Sequence, residues 1–206
     1  LDAAQLSALF GAIERSFDLS HLLEYTVEAG RPGTIDRERL LACKAAGVTR
    51  VSVNPQTMND EVLRSVGRNH TAAQVEEAFS LVRSVGFDSV NMDLIAGLPG
   101  EGVEGFAQSL ERVLALGPDN VTVHALTLKR ASTLAQERAL YERRGQVAAM
   151  VDLARERIRQ AGLRPYYLYR QKNTIGSLDN TGYAAPGKEG LYNVFIMDET
   201  HTIFAA

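Results

Sequence analysis

The chain contains a single cysteine, Cys43, among 206 residues. One thiol excludes an internal disulfide framework and suits a reducing compartment such as the cytoplasm. Four histidines, His21, His70, His124 and His201, show no metal-ligand spacing. No apolar run approaches the roughly 18 residues of a membrane span, and no secretory signal precedes the first helical pattern. Neither sign of charge prevails: 22 Lys and Arg face 25 Asp and Glu, a net charge of -3. Neither nucleic acid nor an anionic membrane is therefore implied as a partner. Gly-x-Gly-x-x-Gly, P-loop and Gly-x-Ser-x-Gly frames are missing, so the signals for phosphate cradles and serine nucleophiles are absent. The first residue is Leu rather than Met, and the chain reads as a piece of something longer.

What is present is an ordinary globular composition, 45% hydrophobic and 23% charged, enough for one sizeable core. Helices are expected over residues 2 to 16 with Asp2 as N-cap, and over 37 to 46 behind Asp36. A short turn or helix is expected at 59–65. A further helix opens on the capping box Thr71-Ala72-Ala73-Gln74 and stops at Gly86, and another covers 103–116. A long charged helical region runs from Leu134 to Gln160. Strands are expected at 22–28, 50–54, 89–96, 120–128 and 165–170, with 191–197 a possible further strand. Gly47, Gly86, Gly117 and Gly162 each close a helix just before a strand, at intervals of 39, 31 and 45 residues. That period is the length of a βα unit and implies a parallel sheet wrapped by helices.

One face of these strands is polar: Ser52 and Asn54, Asn91 and Asp93, Thr122 and His124 alternate with apolar neighbours. Parallel strands buried on both sides are almost wholly apolar, so the polar face should line a barrel or curved sheet that holds a polar ligand. An Asp in mid-strand is costly to bury unless a base or a ligand meets it, which singles out Asp93. Gln56 lies just past its strand, where sites of such sheets are presented. A closed eight-stranded barrel takes about 250 residues. The fold expected is therefore α/β, an incomplete (β/α) barrel with parallel strands and outer helices. Residues 1–165 would form its later units and 166–206 a C-terminal segment. Part of the core should be open to solvent.

Several phrases occur in a specific order: Thr26-Val27-Glu28-Ala29-Gly30-Arg31-Pro32, Ser52-Val53-Asn54-Pro55-Gln56-Thr57-Met58, Gly67-Arg68-Asn69-His70 and Asn91-Met92-Asp93-Leu94-Ile95-Ala96-Gly97-Leu98-Pro99-Gly100. This set resembles the radical S-adenosylmethionine (SAM) enzymes of the oxygen-independent coproporphyrinogen III oxidase group. The later Tyr167-Leu168-Tyr169-Arg170-Gln171-Lys172-Asn173 and Leu191-Tyr192-Asn193-Val194-Phe195-Ile196-Met197 resemble its coproporphyrinogen dehydrogenase branch. The resemblance implies that Glu28 and Gln56 bind the ribose of S-adenosylmethionine, that Arg68 meets its carboxylate, and that Asp93 faces its adenosyl or methionyl part. It implies a [4Fe–4S] cluster held by a Cys-x3-Cys-x2-Cys loop upstream of this chain, since one cysteine cannot supply three thiolates. Cys43, among Leu40, Leu41 and Ala45, reads as a packing residue. The implied substrate is a porphyrinogen whose propionates become vinyl groups, with Arg31, Lys129, Arg130, Arg170 and Lys172 as candidate cations. The alternative is a haem chaperone of the same superfamily, a binding protein without decarboxylase activity.

Overall fold

The computed structural model describes residues 1–127, 144–170, 178–199 and 201–203. Four of its helices begin where a side chain at the N-cap satisfies otherwise unpaired first-turn amides. Asp2 accepts from the Gln5 amide ahead of α1 (Ala3–Ser16), and Asp36 from the Arg39 amide ahead of α2 (Arg37–Ala45). Asn59 accepts from the Glu61 and Val62 amides ahead of α3 (Asp60–Ser65), and Thr71 from Gln74 ahead of α4 (Ala72–Val85). The Asp2 and Thr71 caps are reciprocal, with the Gln5 and Gln74 side chains accepting from the cap backbone. Gly86 and Gly117 end α4 and α5 (Val103–Leu116) at φ 82° and 71°, a left-handed turn that glycine adopts without penalty.

Strands β1 (Thr26–Gly30), β2 (Arg50–Val53), β3 (Ser89–Ala96) and β4 (Asn120–Ala125) pair in parallel, each with the next. Their apolar face carries Val51, Val53, Val90, Met92, Leu94, Val121 and Val123, all essentially inaccessible. It packs into one cluster with Phe79, Phe106 and Leu110 of the covering helices and with Met150 and Ile158 of α6 (Arg144–Gln160). Full burial contributes roughly 1.5–3 kcal/mol for each such side chain.

The sheet continues beyond the parallel units. After β5 (Arg164–Tyr169) the chain returns as β6 (Asn180–Ala184), which inserts between β4 and β5 and runs antiparallel to both. β5 thus points the same way as β4 but is not its neighbour. A short connection then passes under the N-terminal ends of the strands. The Lys188 carbonyl accepts from Arg50 and from Asn120, while the Lys188 amine donates to the Asp88 carbonyl. The last described helix is α7 (Leu191–Asp198).

Four expectations need correction or limits. Residues 191–197 are helical, because Glu24 accepts from the Leu191 and Tyr192 amides and Gly190 stands at the N-cap; a short apolar run has no period of its own that separates helix from strand. The strand expected from Leu22 begins only at Thr26. β6 was not expected. The helix expected from Leu134 is described from Arg144, and Leu128 lies outside the described residues.

Candidate functional site

The polar face of β1–β4 is a hydrogen-bonded relay that crosses the sheet. Glu28, exposed on β1, accepts from Ser52 Oγ at 2.9 Å and from Asn54 Nδ2 at 3.1 Å. Asn91 donates to Asp93 Oδ1 at 2.8 Å and accepts from Thr122 Oγ1 at 3.3 Å. His124 Nε2 faces the other Asp93 oxygen at 3.8 Å, too long for a hydrogen bond. The register explains these contacts: Glu28, Ser52 and Asn91 are lateral partners, and so are Asp93 and Thr122. Period-2 alternation then puts all of them on the face opposite the apolar core.

Gln56 reaches the same place by an unusual backbone. Pro55 ends β2, and Gln56 takes φ 70°, a region that costs a non-glycine residue energy. Its amide donates to the Asp93 carbonyl at 3.0 Å and its carbonyl accepts from the Ile95 amide at 2.9 Å. This bridge pins Gln56 beside Asp93. Just past α3, the half-buried Arg68 is held by its amide on the Leu63 carbonyl. Burial first, and then the Arg31 charge, lowers its pKa. Among the described residues no carboxylate pairs with Arg31 or Arg68. Such a pair of like charges favours an anion. His70 beside them is 6% exposed. Burial chiefly, with Arg68 and Arg31 adding, holds its pKa below the ordinary value, and the Pro55 carbonyl partly offsets this.

A cavity of roughly 530 Å³ opens over the relay, lined by Glu28, Asn91, Asp93, Thr122 and His124 on one side. Its other side comes from the C-terminal elements: Tyr167 and Tyr169 of β5, and Tyr192, Asn193, Ile196 and Met197 of α7. Burial, the largest cause, raises the pKa of both Tyr167 and Tyr169, so the phenols stay neutral. The spacing of Tyr167 and Tyr169 put them on one strand face in the sequence, but nothing there said which face, since β6 was not expected.

The remaining candidates fall elsewhere. Arg170 forms an exposed ion pair with Asp179 at 2.9 Å. Lys129, Arg130 and Lys172 lie outside the described residues. Cys43 is buried on α2 with a thiol pKa raised by burial, and among the described residues no three His, Cys, Asp or Glu could hold a metal. The residues present do not fit an iron–sulfur cluster. Glu28 and Asp93 offer the cavity acceptors that suit a polar ligand such as S-adenosylmethionine, whereas Gln56, Arg31 and Arg68 are not among its lining residues. No helix among the described residues is long and apolar enough to cross a membrane.

The description of the Radical SAM superfamily matches residues 9–113. The chain is 43% identical over 206 residues to the oxygen-independent coproporphyrinogen-III oxidase-like protein HemZ of Bacillus subtilis, covering 98% of this chain and 41% of that protein. It is 30% identical over 199 residues to the heme chaperone HemW of Lactococcus lactis, covering 96% of this chain and 50% of the relative. Among solved structures, the coproporphyrinogen III oxidase HemN from Escherichia coli, described as a radical SAM enzyme, matches with a TM-score of 0.69 at 25% identity. That match covers 96% of this chain and 43% of the other. The chain thus spans half or less of each of these proteins. With the superfamily match running through β1, β2 and β3 and the turn that carries Gln56, this chain belongs to the radical SAM superfamily and is similar to its coproporphyrinogen oxidase-like members.

Proposed function

We propose that this chain is the core portion of an oxygen-independent coproporphyrinogen III oxidase that works in the cytoplasm. In that reading, propionate side chains of coproporphyrinogen III are oxidatively decarboxylated to vinyl groups in porphyrin biosynthesis. The observation that supports it most is the likeness to the HemZ protein across 98% of the chain. In this reading residues 1–165 are the later units of the barrel and 166–206 a C-terminal segment that follows them in the same sheet. The cluster's cysteines come from outside these residues in this reading, since the sequence holds only Cys43.

Glu28 and Gln56 receive the ribose hydroxyls of S-adenosylmethionine. Each Glu28 oxygen already accepts one hydrogen bond, which fixes its orientation and leaves a lone pair for a ligand O–H. Arg68 takes the methionyl carboxylate through its planar fork, and Asp93 faces the adenosyl or methionyl part. When bound, the cofactor supplies a radical able to take hydrogen from an unactivated carbon. The protein's share is to orient the ligand and exclude water. Arg31, whose charge acts on Arg68, is in this reading a cation for a substrate carboxylate.

The test uses the full-length parent protein, reconstituted anaerobically with iron and sulfide and given dithionite, S-adenosylmethionine and coproporphyrinogen III. Formation of 5′-deoxyadenosine with protoporphyrinogen IX supports the reading. Cofactor cleavage without porphyrinogen conversion removes the substrate. The second reading, a haem chaperone, is favoured by 30% identity to HemW over 96% of the chain. Haem binding without turnover would select it.

A further inference from the structure

The ring of Tyr167 does not stand up from the sheet; it lies across it. Tyr167 pairs laterally with Gly182 on β6, and Gly182 pairs with Thr122 on β4. A Cβ at Gly182 would stand 1.9 Å from Cε1 of Tyr167 and 2.8 Å from Cζ. The ring therefore occupies the place of the missing side chain and carries its hydroxyl towards Thr122, two strands away. Tyr169, two residues on, has its ring parallel to that of Tyr167 within 8°, with centroids 6.2 Å apart. That separation is close to the roughly 6.7 Å between alternate residues of a strand. Both rings line the cavity, and Ile196 and Met197 of α7 line it as well.

We propose that Tyr167 and Tyr169 form an aromatic floor on which a pyrrole ring of a tetrapyrrole packs. This rests on the porphyrinogen reading above and adds to it the residues that grip the substrate. Aromatic and apolar surfaces attract a π-faced ligand non-directionally, whereas the relay from Glu28 to Thr122 offers only hydrogen bonds and charge. The two walls thus sort the cavity into a polar side for the cofactor and a flat apolar side for the macrocycle. α7 closes the flat side with Ile196 and Met197, and a thioether packs well against aromatic edges. Asn180, the lateral partner of Tyr169, hydrogen-bonds the Ala125 amide at 2.8 Å. The floor is thereby tied to the end of β4.

The experiment measures binding of coproporphyrin III, the stable oxidised form of the macrocycle, to the full-length protein by fluorescence titration. S-adenosylmethionine binding is measured on the same samples by equilibrium dialysis. Tyr169→Leu and Tyr167→Leu keep apolar bulk and lose the π face; each is expected to weaken porphyrin binding about tenfold. Tyr167→Phe, which keeps the ring, should retain the wild-type porphyrin affinity that the Leu variant loses. S-adenosylmethionine affinity should change less than about twofold in the Leu variants, which also shows that they are folded. Wild-type porphyrin affinity in both Leu variants overturns the floor and leaves the porphyrinogen reading standing. Failure of the wild-type protein to bind porphyrin, with the cofactor bound, overturns the porphyrinogen reading and the floor with it.

Discussion

Glu24 and Leu191 are 167 residues apart in sequence, yet the Leu191 amide donates to Glu24 Oε2 at 2.8 Å. A carboxylate just ahead of β1 therefore caps the last described helix, where the amide dipoles favour negative charge. No residue of α7 is fully buried, so this cap is a principal tie of the helix to the sheet. Glu24→Ala should cost α7 about 0.5–2 kcal/mol of local stability. Hydrogen exchange would show it as faster exchange of the Leu191 and Tyr192 amides with the amides of β3 unchanged. Equal acceleration throughout would mean that Glu24 matters to the whole fold instead.

Gly182→Ala should destabilise the protein by about 1–3 kcal/mol, the range for overpacking. The backbone at Gly182 has no left-handed angle to strain, so the cost comes from the Tyr167 ring alone. Denaturant unfolding of Gly182→Ala, Tyr167→Ala and the double variant separates the two explanations. The double variant should be less destabilised than the sum of the singles. Additive costs would show that the ring and the glycine are not in contact.

Arg68→Lys in the full-length protein should weaken S-adenosylmethionine binding about tenfold, because an ammonium cannot reproduce the planar fork against a carboxylate. Equilibrium dialysis reads this directly. An unchanged dissociation constant would remove Arg68 from the cofactor site.

His70 makes stability depend on acid. Its folded pKa is depressed, chiefly by burial, while the unfolded value is about 6.5. Below that value the unfolded chain binds a proton that the folded protein refuses, so stability is present at neutral pH and falls as pH drops through about 6.5. Urea titrations at pH 7.5 and 5.5 should show a smaller difference for His70→Gln than for the natural sequence. The same slope in both would place the acid sensitivity elsewhere.

The parallel half of the fold was legible because its signals are local. Thr71 and Gln74 sit at capping-box spacing, and Gly86 follows the last helical residue; both act as the sequence suggests. The polar alternation of Asn91 and Asp93 could be read for the same reason, since a strand has only two faces. The site's other wall could not. Tyr167 gains its meaning from Gly182 and Thr122, and that register depends on a strand arriving antiparallel from later in the chain. The left-handed Gln56 was equally hidden. Nothing in Pro55-Gln56-Thr57 announces φ 70°, which is imposed by the two backbone bonds to Asp93 and Ile95. Residues 191–197 carry no local helix signal, because the carboxylate that accepts from their first amides belongs to Glu24, far outside any local window.

The superfamily match ends at residue 113, within α5 and before β4 begins. Glu28, Gln56, Arg68 and Asp93 all precede that point, whereas Thr122, His124, Tyr167, Tyr169 and α7 all follow it. The cavity is thus shared between the matched segment, which supplies Glu28, Asn91 and Asp93, and the residues beyond it, which supply the tyrosines and the α7 wall.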